Sequence, residues 1–474
     1  MKHFFCAALF IAYGSIAIAQ STEEIYPKTL QSPADSFMVR FSNFPNDLIT
    51  MKYKTRDTLD MGTDGAPGLK ATIYYGKDSL VIPYRNLPYA QVHYIPIQMP
   101  AHKVMYRLHF NSITANFSQS YMNSNTGKVQ VEIPEVYELA NILWTLSPAG
   151  QRSSTLYKEG AYYQKVTEYF KPWLNHPVFR QLDVPDSLFF QQYYDFRENS
   201  FTYNFKGNEL VYEGPYYYVM GNDWDNYNSL FRKLLPLITD FVKQSKYREF
   251  YKSNQSYYAE RIERMKQLNP VKSMWTWLEK EFPNRKYQSY KIVFSPLIGG
   301  SHSTQQFWTY NKDKWFAETV MFVCATDRYD ARKELNDKQR EGLMSGIVFT
   351  EIDHNYVNPA SNRYAGAIDS ALSKRSVWTG DSTNWYGNPM AVFNEYMTHS
   401  VFCLWVMDNY DKPTAEFVIN EREKLMVERR KFIRFKEFNQ ALIALREKNR
   451  DKAVVDLYPA IVDWCRRLNP SDNQ

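Results

Sequence analysis

Thr350-Glu351-Ile352-Asp353-His354-Asn355-Tyr356-Val357-Asn358-Pro359 is the stretch on which the reading of this chain turns. It follows Glu341 to Phe349, a run of helical character, and a proline closes it. A helix bearing His-Glu-x-x-His sets two histidines one turn apart on one face. Both can then ligate a zinc ion, while the glutamate beside the first acts as base. Glu351 and His354 fill two of those places, but threonine stands at position 350 where the first histidine belongs. The segment is a degraded zinc motif, a rewired one, or a chance Glu-x-x-His pair on a helix.

A second helix bears on that choice. Asn388-Pro389 supplies an N-cap followed by a first-turn proline, and Met390 to Met407 is apolar nearly all round, which predicts burial. It nevertheless carries Glu395 and His399 one turn apart. A buried carboxylate is costly unless it is paired or metal-bound, so either an arginine such as Arg363 or an ion would satisfy Glu395. His354, Glu395 and His399 make a two-histidine, one-carboxylate set, the ligand type and number of catalytic zinc. Asp353 points about a quarter-turn away from His354 and is the poorer ligand. In a rewired site, Thr350 would hydrogen-bond a metal-bound water. His399 alone reads as a core histidine, and His302, beside Gly299-Gly300, as a loop histidine.

Working outward, Ser289–Phe294 and Glu318–Cys324 read as strands that precede the motif. Helical spacing recurs from Pro134 to Trp144, Tyr162 to Trp173, Asn228 to Tyr247 (kinked at Pro236), Tyr257 to Leu268 and Ser273 to Phe282. Residues 20 to about 125 are different, with short alternating strands and frequent turns. Ala71–Tyr75 and Leu80–Tyr84 flank Gly76-Lys77-Asp78-Ser79 as a hairpin, and strands are expected near Val92–Ile95 and Val104–Leu108. Asn123-Ser124-Asn125-Thr126-Gly127 is a turn and marks the domain boundary. The expected fold is α+β: a β-rich region over residues 20–127, then a mainly helical region over 131–474 with a small mixed sheet. After Pro413 the chain is helical and charged, and Arg429-Arg430-Lys431 reads as a solvated face.

Met1-Lys2-His3, the apolar run Phe4–Ile18 and Ala17-Ile18-Ala19 form a secretory leader, residues 1–19, which predicts export to the periplasm or beyond. That run is too short for a comfortable membrane span. The chain has 57 Lys and Arg against 51 Asp and Glu, a net charge of +6 spread along its length, which gives little support to nucleic-acid binding. Cys324, Cys403 and Cys465 permit one disulfide with a free thiol, or three buried thiols, and match no zinc module. Aromatics make up 16% of the residues, 37 of them tyrosine, a composition that suits core packing first and sugar or peptide binding second. Trp378-Thr379-Gly380-Asp381 and Asn384-Trp385-Tyr386-Gly387 are loops that would suit either ligand.

The motif helix, the Asn358-Pro359 that ends it and the later Asn394-Glu395 helix together resemble the gluzincin type of zinc metallopeptidase. Within that type they resemble a family of secreted Bacteroidetes-type proteins with a gluzincin-like domain. The likeness covers Val131 to the C-terminus. It implies Glu351 as general base, His354 as ligand, Glu395 as the further protein ligand, Zn2+ as cofactor, and peptide or protein as substrate. Thr350 is the departure. The second expectation is an inactive descendant that keeps the cleft and binds a peptide or glycan.

Overall fold

The computed structural model describes residues 22–42, 48–52, 58–64, 69–85, 91–111, 114–216, 229–311, 314–380 and 386–468. The expected leader, residues 1–19, and Asp381–Trp385 of the two stretches expected to suit a ligand lie outside them. The fold is α+β, with a strand-rich N-terminal part followed by a helical part built around a small mixed sheet.

The N-terminal part is a sandwich of two sheets. One is ordered Thr22–Ile25, Gln91–Gln98, Lys103–Asn111, Thr58–Asp64, and Leu30–Gln31 also pairs with the second of these. The other is ordered Ile49–Lys52, Ser36–Phe41, Lys70–Tyr75, Asp78–Pro83. Period-two side-chain alternation explains the packing: Phe37, Val39 and Phe41 turn inward while Met38 faces solvent. Phe37 meets Tyr106 of the facing sheet edge-on, with ring centroids 5.0 Å apart. The hairpin joining Lys70–Tyr75 to Asp78–Pro83 turns at Gly76, whose φ of 66° favours glycine, and Pro33 leaves no room there for a Cβ.

The two hydrophobic cores divide between Phe110 and Ala115. That is earlier than the change of periodicity near residues 127–131. The short helix Gln119–Asn125 buries Met122 in the second core, and Thr114 and Ala115 dock on the carbonyl of Trp308. The turn-like composition of this segment is a helix end rather than a linker.

In the larger part, the sheet order is Lys128–Glu132, Ser289–Ser295, Lys314–Cys324, Ser303–Asn311. The first three strands are parallel and the last is an antiparallel edge. Every residue of Ser289–Ser295 is buried, as expected for a central strand covered on both faces. The segment 229–245 is two helices, Leu230–Lys233 and Leu235–Ser245, and not one kinked helix. Pro236 sits in the first turn of the second helix, where its missing N–H costs nothing.

The motif helix runs from Asp337 to Asn362, closed at its start by an Asn336/Gln339 capping box. It does not stop at Pro359 but continues through it. A proline there leaves the Asn355 carbonyl without its helical donor, and the Tyr287 hydroxyl supplies the bond instead at 3.1 Å. Pro389–Asn409 follows, with the Asn388 side chain accepting from the Ala391 amide at 2.8 Å, and then Lys412–Lys424. Gly342 and Gly346 let this last helix approach closely. A methyl at 342 would strike Val418, and one at 346 would overlap the Arg422 guanidinium. Cys324, Cys403 and Cys465 are three buried free thiols. No helix among the described residues is long and apolar enough to cross a membrane.

Candidate functional site

The motif helix, the Pro389–Asn409 helix, the end of Lys412–Lys424 and the Gly299–His302 turn enclose a cleft of about 850 Å³. Thr350, Glu351, His354, Glu395 and His399 all line it, together with His302. The first three belong to consecutive turns of one helix and Glu395 and His399 to consecutive turns of the other, so two packed helices suffice to bring them together.

The Glu395 carboxylate is the hub. Its Oε1 lies 3.7 Å from His354 Nε2 and its Oε2 lies 3.4 Å from His399 Nε2. The cation it pairs with is Arg430, whose Nη2 donates to Oε2 at 2.8 Å. The same guanidinium touches His399 Nε2 through Nη1 and the Tyr386 hydroxyl through Nη2. Arg422 donates to the other ring nitrogen, His399 Nδ1, at 3.0 Å. A neutral imidazole has one N–H and one lone pair. Only one ring nitrogen can therefore accept from an arginine; with Nδ1 accepting from Arg422, the proton on Nε2 faces Glu395, and the Arg430 Nη1 contact with Nε2 is close packing without a hydrogen bond.

The electrostatics follow from this arrangement. Burial alone would raise the Glu395 carboxyl, but the Arg430 charge and the His399 bond outweigh it and hold it well below the usual carboxylate range. Burial, helped by the Arg430 and Arg422 charges, pushes His399 down to about 3 against the pull of Glu395, so the ring is neutral. Glu351 moves the other way: burial and the neighbouring Glu395 charge push it up to about 8. Asp353 is fully buried and held far above its ordinary value by burial and by the Glu351 and Glu395 charges. His302 goes down to about 3 through burial and the surrounding arginines, and its Nε2 has no partner among the described residues.

Thr350 points into the cleft but bonds its own helix, with Oγ1 donating to Gly346 O at 2.9 Å and Ile347 O at 3.1 Å. His354 Nδ1 lies 3.3 Å from Asn358 Oδ1 and 3.4 Å from Thr398 Oγ1.

Does this set fit zinc? Adjacent ligands on a tetrahedral zinc with bonds of ~2.0–2.1 Å lie roughly 3.3 Å apart, and the two pairwise distances are near that. The set nevertheless does not fit in this arrangement. His354 and His399 face opposite oxygens of Glu395, and the space beside Oε2 and His399 Nε2 holds the Arg430 guanidinium. A dication and a guanidinium cannot share that space. Among the described residues no group of three or more His, Cys, Asp or Glu side chains is arranged to hold a metal ion.

Arg430 and Arg422 are the site residues that sequence patterning missed, and Tyr386, expected in a ligand-binding stretch, lines the cleft by holding Arg430. Arg430 reads as part of a solvated basic run, yet it follows Leu425–Arg429, a single π-turn in which the Arg430 amide bonds the Leu425 carbonyl at 3.0 Å. The wide turn swings it inward. The one usable signal was Glu395, a buried carboxylate that required a cation from elsewhere in the chain. Compared with protein-family models, curated proteins and solved structures, the chain matches none.

Proposed function

We propose that this is an exported protein with a gluzincin-like cleft that binds a peptide without metal-assisted hydrolysis, its own arginine standing where a metal would. The observation that carries the reading is the Arg430 guanidinium on Glu395 and His399. Hydrolysis of the gluzincin type needs a metal to polarise the carbonyl and an ionised glutamate to activate water. Arg430 takes the metal's contacts. Burial and the Glu395 charge raise the Glu351 carboxyl to about 8, which favours its protonated form at neutral pH and makes it a poor acceptor for the proton of water. Glu351 in its neutral form can instead donate a hydrogen bond to a ligand carbonyl. Arg430 and Tyr386 fix the shape of the cleft floor by tying its helices together.

The test is zinc content and zinc titration of protein purified without a metal resin. Native protein should hold well under one equivalent, and Arg430→Ala should bind zinc at least about tenfold more tightly, because the ligand atoms are then released. Thr350→His alone should change little, since the arginine remains. One equivalent of zinc in the native protein, lost in His354→Ala, would return the site to the metallopeptidase reading.

A further inference from the structure

Arg422 sits 8% exposed at the back of the same cleft, with the Phe402 ring 4.5 Å from its guanidinium carbon. Its resolved polar partner is the neutral His399 ring, and no carboxylate lies within ion-pair distance of it among the described residues. Burial depresses its basicity. A buried charge is normally matched by a counter-ion. The chain has kept the space for this one, since any side chain at Gly346 would evict it. Arg328 borders the same cleft at its mouth, exposed, with no ion pair among the described residues. Six cationic side chains line the cleft (Arg328, Arg332, Arg422, Lys424, Arg429 and Arg430) against the carboxyls of Glu351, Glu395, Glu421 and Glu428.

We propose that the counter-ion missing from Arg422 is the carboxylate of an acidic peptide, drawn in by Arg328 and seated on Arg422. The inference rests on the reading of the cleft as a binding site. Arginine presents a planar fork that matches a carboxylate at two oxygens, and the surplus positive charge steers an anion inward. Leu343, Ile347, Val418 and Leu425 form an aliphatic wall beside the cations. Of the aromatic rings in the lining, Phe402 is covered by Arg422 and Tyr386 holds Arg430, so the aliphatic wall, suited to the side chains flanking an acidic residue, is offered in place of a free ring on which a sugar could stack.

Three probes separate the sources of the oxyanion: a glutamate-containing pentapeptide blocked at both ends, a glycine pentapeptide with a free C-terminus, and inorganic sulfate. Each is titrated calorimetrically into full-length protein in the presence of a chelator, with a blocked neutral peptide as control and zinc content measured on the same preparation. The blocked acidic peptide should bind at least about tenfold more tightly than the neutral control and lose that advantage in Arg422→Gln. Arg328→Gln, at an exposed position, should weaken binding of the acidic peptide and make its salt dependence shallower, read from titrations at two ionic strengths. Circular dichroism checks that both variants fold, and if Arg422→Gln does not, the Arg328→Gln arm decides. If only the free C-terminus binds, the carboxylate comes from the chain end and the acidic side chain is ruled out. Equal binding of the neutral peptide, or sulfate binding without peptide binding, would overturn the proposal. Zinc-free protein that ignores every anion defeats this inference alone, whereas stoichiometric zinc in the same sample defeats the reading beneath it.

Discussion

Two of the ionic clusters buried in the helical part of the molecule, one in the sheet and one in the cleft, are built differently. In the sheet, Glu318 is completely buried and closed on itself. It accepts from Tyr121 at 3.0 and 3.1 Å, from Tyr216 at 2.6 Å and from Ser289 at 2.9 Å. Lys291 completes the set, donating to Tyr216 at 2.8 Å and pairing with Glu132 at 3.3 Å. Both Glu318 oxygens are used and opposite charges lie side by side. In the cleft, Glu395 is matched by Arg430 but Arg422 is left over, His302 keeps an unpartnered nitrogen, and Glu351 gives up its charge. A network that serves stability closes, because each unpaired buried group costs free energy. The cleft stays open, and the carboxylate proposed for it is the group that would close it.

The comparison breaks most readily at Glu318. Replacing it with alanine should take the acceptor from two tyrosines and a serine, leave Lys291 with Glu132 alone, and cost about 3–5 kcal/mol, read from urea denaturation. A loss below about 1 kcal/mol would mean that the sheet network is not the closed structural unit described.

A smaller effect is expected at Glu351 and depends on pH. Its carboxyl is raised in the folded protein, so between its ordinary value and about 8 the native state holds a proton that the unfolded chain does not. Stability must then fall as pH rises through that window. Glu351→Gln removes the penalty and should stabilise the protein by about 1–3 kcal/mol at pH 9 and by little at pH 5, compared in melts at both values. His399 has the opposite sign. Its lowered value means that stability is lost as pH falls below the ordinary histidine range. Equal effects of Glu351→Gln at both pH values would show the carboxyl to be ionised throughout.

The smallest effect sharpens the contrast. Arg422→Gln removes a charge with no carboxylate partner, so it should change stability by no more than about 1 kcal/mol in either direction, unlike Glu318→Ala. A loss as large as that of Glu318→Ala would show that Arg422 has a counter-ion within the fold.

What was legible in the sequence was whatever local periodicity and capping control. The hairpin at Gly76, the Asn388-Pro389 helix start and the burial of Met390–Met407 follow from turn chemistry and side-chain spacing, and the helix Asp337–Asn362 follows from its pattern except at its end. Pro359 misled because its orphaned carbonyl is satisfied by Tyr287, 68 residues away in sequence. The edge strand Ser303–Asn311 was missed because Thr304, Gln305 and Gln306 carry no strand-like apolar alternation, and its burial begins at Phe307. For the site, two helices placed four residues in one cleft, but the identity of the cation against Glu395 depended on tertiary position.

That position depends on one residue of helix register. The π-turn Leu425–Arg429 carries one residue more than an α-helical turn would, and Arg430 is the residue immediately beyond it. Each residue advances a helix by about 100°. Deleting a single residue from this turn, such as Val427, would therefore swing Arg430 out toward solvent while leaving His354, Glu395 and His399 in place. Three nucleotides of coding sequence separate a cleft filled by its own guanidinium from one with its carboxylate and imidazoles bare, and zinc titration of the deletion variant would read the exchange. In this architecture an insertion or deletion in Leu425–Arg429, with no change in any lining residue, would be enough to convert one kind of site into the other.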